Sequence, residues 1–137
     1  LFAGSGQMGI EALSRGAREA VFVEKNPAAA RCIKRNLAFT RLEETGRLYT
    51  RDVMDFLQHP GGEEPFDLIF LDPPYDKGLE EKALALLADG PLLAEDALIV
   101  VEASLQTDFS YLDDLGYEQI RQKKYKTNQH VFITRGQ

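Results

Sequence analysis

The chain has 137 residues, 44% of them apolar, and 16 basic against 22 acidic side chains for a net charge of −6. That length and composition suit one domain with a sizeable core, and no apolar run approaches the ~20 residues of a membrane-spanning helix. The acidic balance argues against a broad nucleic-acid surface, because phosphate binding is driven by Lys and Arg.

A single cysteine, Cys32, excludes an internal disulfide and fits a reducing cytoplasm. His59 and His130 lie far apart with no other ligand types at metal spacing, so no metal site is read.

The chain opens on Leu1-Phe2-Ala3-Gly4-Ser5-Gly6-Gln7-Met8-Gly9, a Gly-x-Gly-x-x-Gly arrangement. Ile10, Leu13 and Ala17 then recur on one face of a helix that Gly16 is placed to stop. Glycines let a backbone approach a ligand closely, and a helix N-terminus offers unpaired N–H groups. Ala20 to Glu24 reads as a short buried strand. Its terminal acid lies 20 residues after Gly4, the spacing of a carboxylate that holds ribose hydroxyls.

Asn26-Pro27 is an N-cap followed by a first-turn proline. The helix is expected to run to Leu42, with Ala29, Ile33 and Leu37 inward. Gly46 to Thr50 reads as the next strand. Val53 to Leu57 reads as a helical turn, and Asp52 before it is placed to cap that turn, to accept from an adenine amine, or to do both. Arg31, Lys34 and Arg35, and the run from Arg121 to Lys126, are the two local basic groups.

Phe66 to Leu71 follows a polar loop and reads as a central strand buried on both faces, broken only by Asp67. It ends on Asp72-Pro73-Pro74-Tyr75. Neither proline has an N–H to donate, and Pro73 biases Asp72 toward an extended conformation. The strand end therefore presents acceptors, the Asp72 carboxylate and the Pro73 carbonyl, beside an aromatic ring. Acceptors suit an N–H₂ group, and the ring of Tyr75 suits a flat heterocycle, a stack worth roughly 1–3 kcal/mol per base.

Beyond it, Leu79, Ala83, Leu86 and Leu87 mark an amphipathic helix ended by Gly90-Pro91. Ala97 to Val101 reads as a buried strand ending near Glu102, and Phe109 to Leu115 as helical. Tyr117 to Tyr125 and Val131 to Thr134 read as an antiparallel hairpin across a polar turn, Lys126 to Gln129. Such alternation implies an α/β fold with a mostly parallel sheet and helices on both faces. The strand that should precede the glycine loop is reduced to Leu1-Phe2. The expectation is one domain over 1–137 that is N-terminally truncated relative to a longer natural protein.

In its order of motifs the chain resembles the class I S-adenosylmethionine-dependent methyltransferases, with a Rossmann-like fold. More narrowly, Leu1 to Gly6, Gly9 to Ala17 and Phe70 to Tyr75 resemble the bacterial methyltransferase D family that methylates guanine N2 in 16S ribosomal RNA. The resemblance implies a seven-stranded sheet with one antiparallel strand. It implies that Phe2, Gly4 and Gly6 approach the methionine part of the cofactor, that Glu24 binds its ribose, and that Asp52 and the Val53 backbone bind its adenine. Asp72, Pro73 and Tyr75 would be catalytic, and Pro74 and Tyr75 would hold the target base.

The implied product cofactor is S-adenosylhomocysteine, with no metal. The implied partner is ribosomal RNA or the small-subunit particle, met by a cytoplasmic monomer away from any membrane. The family's upstream acid and basic N-terminal segment do not fall within this sequence. The alternatives are an amino-methyltransferase acting on DNA, a metabolite or a protein amide, a nicotinamide-dependent oxidoreductase, and a binding protein of the same fold without turnover.

Overall fold

The structure, a computed structural model, describes residues 1–136. They fall into two compact units, Leu1–Phe56 and the remainder from Leu57 onward.

In the first unit, β1 (Ala20–Val23) and β2 (Gly46–Tyr49) pair in parallel, Ala20 opposite Gly46 and Val23 opposite Tyr49. α1 (Gln7–Ser14) precedes β1, α2 (Pro27–Thr40) joins the two strands, and α3 (Val53–Gln58) follows β2. α2 begins as its sequence dictates: Asn26 Oδ1 accepts from the N–H groups of Ala28 at 2.9 Å and Ala29 at 3.2 Å, with Pro27 in the first turn. It stops at Thr40, two residues before the expected end. Arg41 takes a left-handed conformation (φ 61°), and Leu42 N–H donates back to the Leu37 carbonyl at 2.9 Å.

The buried face of α2 is Ala30, Ile33 and Leu37, so the inward alanine is Ala30 and not Ala29. Ile33 and Leu37 pack with Leu13 and Phe22. Ala17 lies beyond the end of α1 and is exposed. Cys32 is half-buried and accepts a long contact from Asn36 Nδ2 at 3.6 Å.

The third glycine of the opening motif has a packing reason. A Cβ on Gly9 would lie 2.2 Å from Phe22 Cε1 and 2.6 Å from Cζ, inside any real contact. The ring cannot retreat, because it is almost wholly buried among Leu13, Ile33 and Leu37, and a Cβ on Gly46 would meet its other edge at 3.3 Å. Gly9→Ala is therefore expected to cost about 1–3 kcal/mol, the usual penalty of overpacking, read as a lowered midpoint in urea unfolding. Adding Phe22→Leu should recover part of the loss. An unchanged midpoint in the single variant would refute this packing account.

In the second unit, β3 (Phe66–Leu71), β4 (Leu93–Ser104), β5 (Tyr117–Lys124) and β6 (Asn128–Arg135) form a sheet in the order β3-β4-β6-β5. β3 and β4 are parallel, and β6 runs against both β4 and β5. The expected hairpin is present, with its second strand inserted beside β4. β4 is longer than expected at both ends, because its Leu93 end already pairs with Phe66 and its Ser104 end with Asn128. Asn128 and Gln129 consequently belong to β6 and not to the turn. Gln129 is buried, its Nε2 donating to the Ser104 carbonyl at 2.8 Å.

β3 is an edge strand of this sheet, not a central one. Leu68 is 53% exposed, while Ile69 and Leu71 are buried. α4 (Leu79–Asp89) buries Ala83, Leu84 and Leu87, whereas Leu79 and Leu86 are half-buried. The helix expected over Phe109 to Leu115 reduces to a 3-10 turn at Asp113–Leu115. Leu112, Leu115 and Gly116 each donate three residues back, and Gly116 (φ 82°) closes the turn. No helix among the described residues is long and apolar enough to cross a membrane.

Candidate functional site

The sequence-selected residues divide between the two units. In the first, Ala3 N–H donates to the Val23 carbonyl at 3.1 Å, which lays the opening residues beside the end of β1. Phe2, with φ 57°, leads into that bond and is half-buried. Gly6 N–H then closes a tight turn onto the Ala3 carbonyl at 2.8 Å. Gly4 (φ 57°) and Gly6 (φ 80°) both lie in the left-handed region that side chains avoid.

The Glu24 carboxylate reaches back to this loop. Oε1 accepts from Gly4 N–H at 2.8 Å and Oε2 from Asn26 N–H at 3.0 Å. One acid thus ties the glycine loop to the start of α2. A carboxylate has about four acceptor sites, so two remain for hydroxyl donors. Above Gly4 a Cβ would meet nothing within 4 Å, which leaves open backbone on that side of the loop. Asp52 caps α3, its Oδ2 accepting from Met54 N–H at 3.1 Å and Asp55 N–H at 3.3 Å, and Val53 is buried behind it. These residues fit a nucleoside-bearing cofactor. They offer acceptors for hydroxyls and an amine next to backbone with no side chain in the way.

In the second unit, β3 delivers Asp72-Pro73-Pro74-Tyr75 at its carboxyl end. Pro73 is buried and anchors the turn. Asp72, Pro74 and Tyr75 are exposed, Tyr75 by 41%. β4 runs parallel to β3 and carries Glu102 near the same end. Partial burial, then the hydrogen bond and negative charge of Glu102, push the Asp72 carboxyl up to about 7. Glu102 moves the other way. The hydrogen bond it accepts from Asp72 holds it below the usual carboxylate range against the opposing effect of burial, with help from His130.

Sequence reasoning passed over the groups around Glu102. Register places Glu102 opposite His130 and Ser104 opposite Asn128. Glu102 Oε1 meets His130 Nε2 at 3.0 Å and accepts from Asn128 Nδ2 at 3.1 Å. Ser104 Oγ donates to the Asp76 carboxylate at 2.9 Å, which fastens the loop after Tyr75 to the end of β4. Tyr125 packs edge-on to His130 with centroids 5.0 Å apart. The available signal was an apolar run ending in an acid, which β3 and β4 share. The pairing with His130 depends on strand register. Arg31, Lys34 and Arg35 are exposed along α2, and Arg121 to Lys124 are exposed along the edge strand β5.

The profile of the family described as conserved hypothetical protein 95 matches residues 1–134. The chain is 40% identical over 102 residues to ribosomal RNA small subunit methyltransferase D of Haemophilus influenzae, which covers 74% of this chain and 53% of that protein. It therefore spans about half the length of that relative. A conserved hypothetical protein of Streptococcus pyogenes superposes with a TM-score of 0.88 at 31% identity, over 97% of this chain and 82% of the other. At the level of fold alone, a ribosomal protein L11 methylase of Lactobacillus delbrueckii subsp. bulgaricus superposes with a TM-score of 0.78 at 17% identity, over 98% and 67% of the two chains.

Proposed function

The chain belongs to the conserved hypothetical protein 95 family, the class I methyltransferases that include ribosomal RNA small subunit methyltransferase D, and we propose that it transfers a methyl group from S-adenosylmethionine to the exocyclic N2 amine of a guanine in small-subunit ribosomal RNA. The observation that carries this reading is the end of β3. There an exposed carboxylate with raised proton affinity stands on a buried proline, one turn from an exposed tyrosine ring.

In this reading Gly4, Gly6 and Phe2 approach the methionine part of the cofactor. Glu24 holds the ribose hydroxyls with its two remaining acceptor sites, and Asp52 with the Val53 backbone contacts the adenine. Bound S-adenosylmethionine would supply its sulfonium methyl as the group that the amine nitrogen accepts. The amine's lone pair is delocalised into the ring, which makes it a poor nucleophile. Asp72 and the Pro73 carbonyl accept hydrogen bonds from its two N–H groups and so turn lone-pair density toward the methyl. Tyr75, with Pro74, holds the base by stacking.

General-base help is worth about 10²–10⁴-fold, and positioning up to ~7–11 kcal/mol of the barrier, so geometry contributes more than proton transfer. An unpaired or loop guanine is the easier target, because a paired base must first leave its stack. The basic residues of α2 and β5 are the cations available to touch phosphate. The setting that matches a single free cysteine is the cytoplasm, and the chain is expected to act as a monomer on RNA or on the small-subunit particle.

Calorimetric titration with S-adenosylhomocysteine, with NADH as control, tests the cofactor half of this reading. Saturable binding of the first and none of the second is expected. Binding of NADH alone would replace the methyltransferase reading with an oxidoreductase. Mass analysis of nucleosides from treated small-subunit RNA tests the acceptor, with N2-methylguanosine expected.

A further inference from the structure

Two acids at the ends of neighbouring parallel strands form one unit in this structure. Asp72 follows β3 directly, and the register that pairs Leu71 with Val101 sets Glu102 of β4 beside it, where burial and the neighbouring Glu102 raise the proton affinity of Asp72. Glu102 is held from the far side. His130 Nε2 lies 3.0 Å and Asn128 Nδ2 lies 3.1 Å from the same oxygen, Oε1, and both come from β6. The Glu102–His130 contact is largely sheltered, the Glu102 side chain being 22% and the His130 side chain 25% exposed, while Asp72 stands exposed beside it. An acid with two donors on one side and another acid on the other is not arranged to bind the base itself. It is arranged to act on its neighbour.

Resting on the methyltransferase reading above, we propose that Glu102 is the positioning residue of Asp72, and that the two carboxylates together, fixed by His130 and Asn128, take up the single proton that the target amine gives off. Methyl transfer leaves the nitrogen with one proton too many. The doubly ionised pair accepts that proton and holds it between Asp72 and Glu102, and the amine leaves neutral. A lone exposed aspartate would be a weaker base at the same distance.

Within the second unit, the groups facing the pair come from β4, β6 and the end of β5. Glu102 is contributed by β4, His130 and Asn128 by β6, and Tyr125 packs against His130 from the end of β5. Asp76 on the following loop is engaged with Ser104, two residues beyond Glu102. Two close carboxylates hold a shared proton more tightly than either holds its own, and transfer needs the pair unprotonated. The rate should therefore rise with pH through about 7, where Asp72 titrates.

Two variants of opposite sign test the pairing. The readout is the carboxyl ¹³C titration of Asp72 in the labelled chain, with its resonance assigned by its loss in Asp72→Asn. Glu102→Gln removes the neighbouring charge and can donate to Asp72, so the Asp72 midpoint should fall by at least about one pH unit. Asn128→Ala removes a donor from Glu102 and leaves its charge less stabilised, so the midpoint should rise. The acid limb of the methyl-transfer pH profile should move with the midpoint in each variant, with S-adenosylhomocysteine affinity retained.

An Asp72 midpoint unmoved in folded Glu102→Gln would overturn the pairing. If that variant does not fold, an unmoved or lowered midpoint in Asn128→Ala would do the same. Midpoints that shift as expected while the pH profile stays fixed would overturn the proton-uptake role. The titration requires no turnover. A wild-type chain that shows the shared titration but methylates no RNA would count against the methyltransferase reading and leave the carboxyl pair standing.

Discussion

Asp72→Ala is expected to lower methyl-transfer turnover by about 10²–10⁴-fold and to leave S-adenosylhomocysteine binding largely intact. The carboxylate stands at the end of β3 in the second unit, whereas the glycine loop, Glu24 and Asp52 all lie in the first. In the proposed reading its removal takes away one of two acceptors for the amine and breaks the carboxyl pair that takes up the proton. It does not disturb Pro73, whose burial fixes the turn, so the backbone carbonyl acceptor should remain in place. Single-turnover rates beside calorimetry separate the two effects. Equal losses of rate and cofactor affinity would sink the division of labour between the units. The limb of the pH profile near 7 should also vanish in this variant, since no paired carboxyl remains to titrate there.

Glu24→Ala should do the reverse, weakening S-adenosylhomocysteine roughly ten- to a hundredfold. Its carboxylate accepts from Gly4 N–H at 2.8 Å and Asn26 N–H at 3.0 Å, so it shapes the loop as well as serving the ribose in the proposed reading. Hydrogen bonds to a charged group are worth about 1.5–3 kcal/mol each, and about 1.4 kcal/mol is tenfold in affinity. Loss of the loop's anchor together with the ribose acceptors accounts for the range. Glu24→Gln keeps one acceptor oxygen and should fall between the two. Unaltered affinity in Glu24→Ala, with the fold intact by circular dichroism, would remove Glu24 from the cofactor site.

Much of this organisation is legible in the sequence because it is local. Asn26-Pro27 starts α2 wherever it is placed, since cap and proline act within one turn. The alternation of strands and helices similarly gives the α/β class and the terminal hairpin. What local reasoning misses depends on partners far along the chain. Ala30 and not Ala29 is buried because the position of β1 sets which side of α2 faces inward. Asn128 and Gln129 read as turn residues by their polarity, yet β4 offers partners that draw both into β6. For the site, the glycine loop, Glu24 and the Asp-Pro-Pro-Tyr turn announce themselves by spacing. Glu102 and His130 are 28 residues apart and meet only through register. Asp52 was legible in both of its roles, and the structure shows the capping bonds of α3.

The strand order β3-β4-β6-β5 also bears on how the chain is made. A polypeptide leaves the ribosome in sequence order, and β5 emerges before the strand that separates it from β4. Until Asn128 to Arg135 appear, β4 has an open edge and β5 has no place to dock. Open edges invite pairing with other chains, and such long-range closure is slow. The groups that steady Glu102 arrive with that same late strand. A nascent chain therefore fixes Glu102 in the same event that seals its sheet, and a partly synthesised copy carries Asp72 and Glu102 without the two groups that hold Glu102 in place.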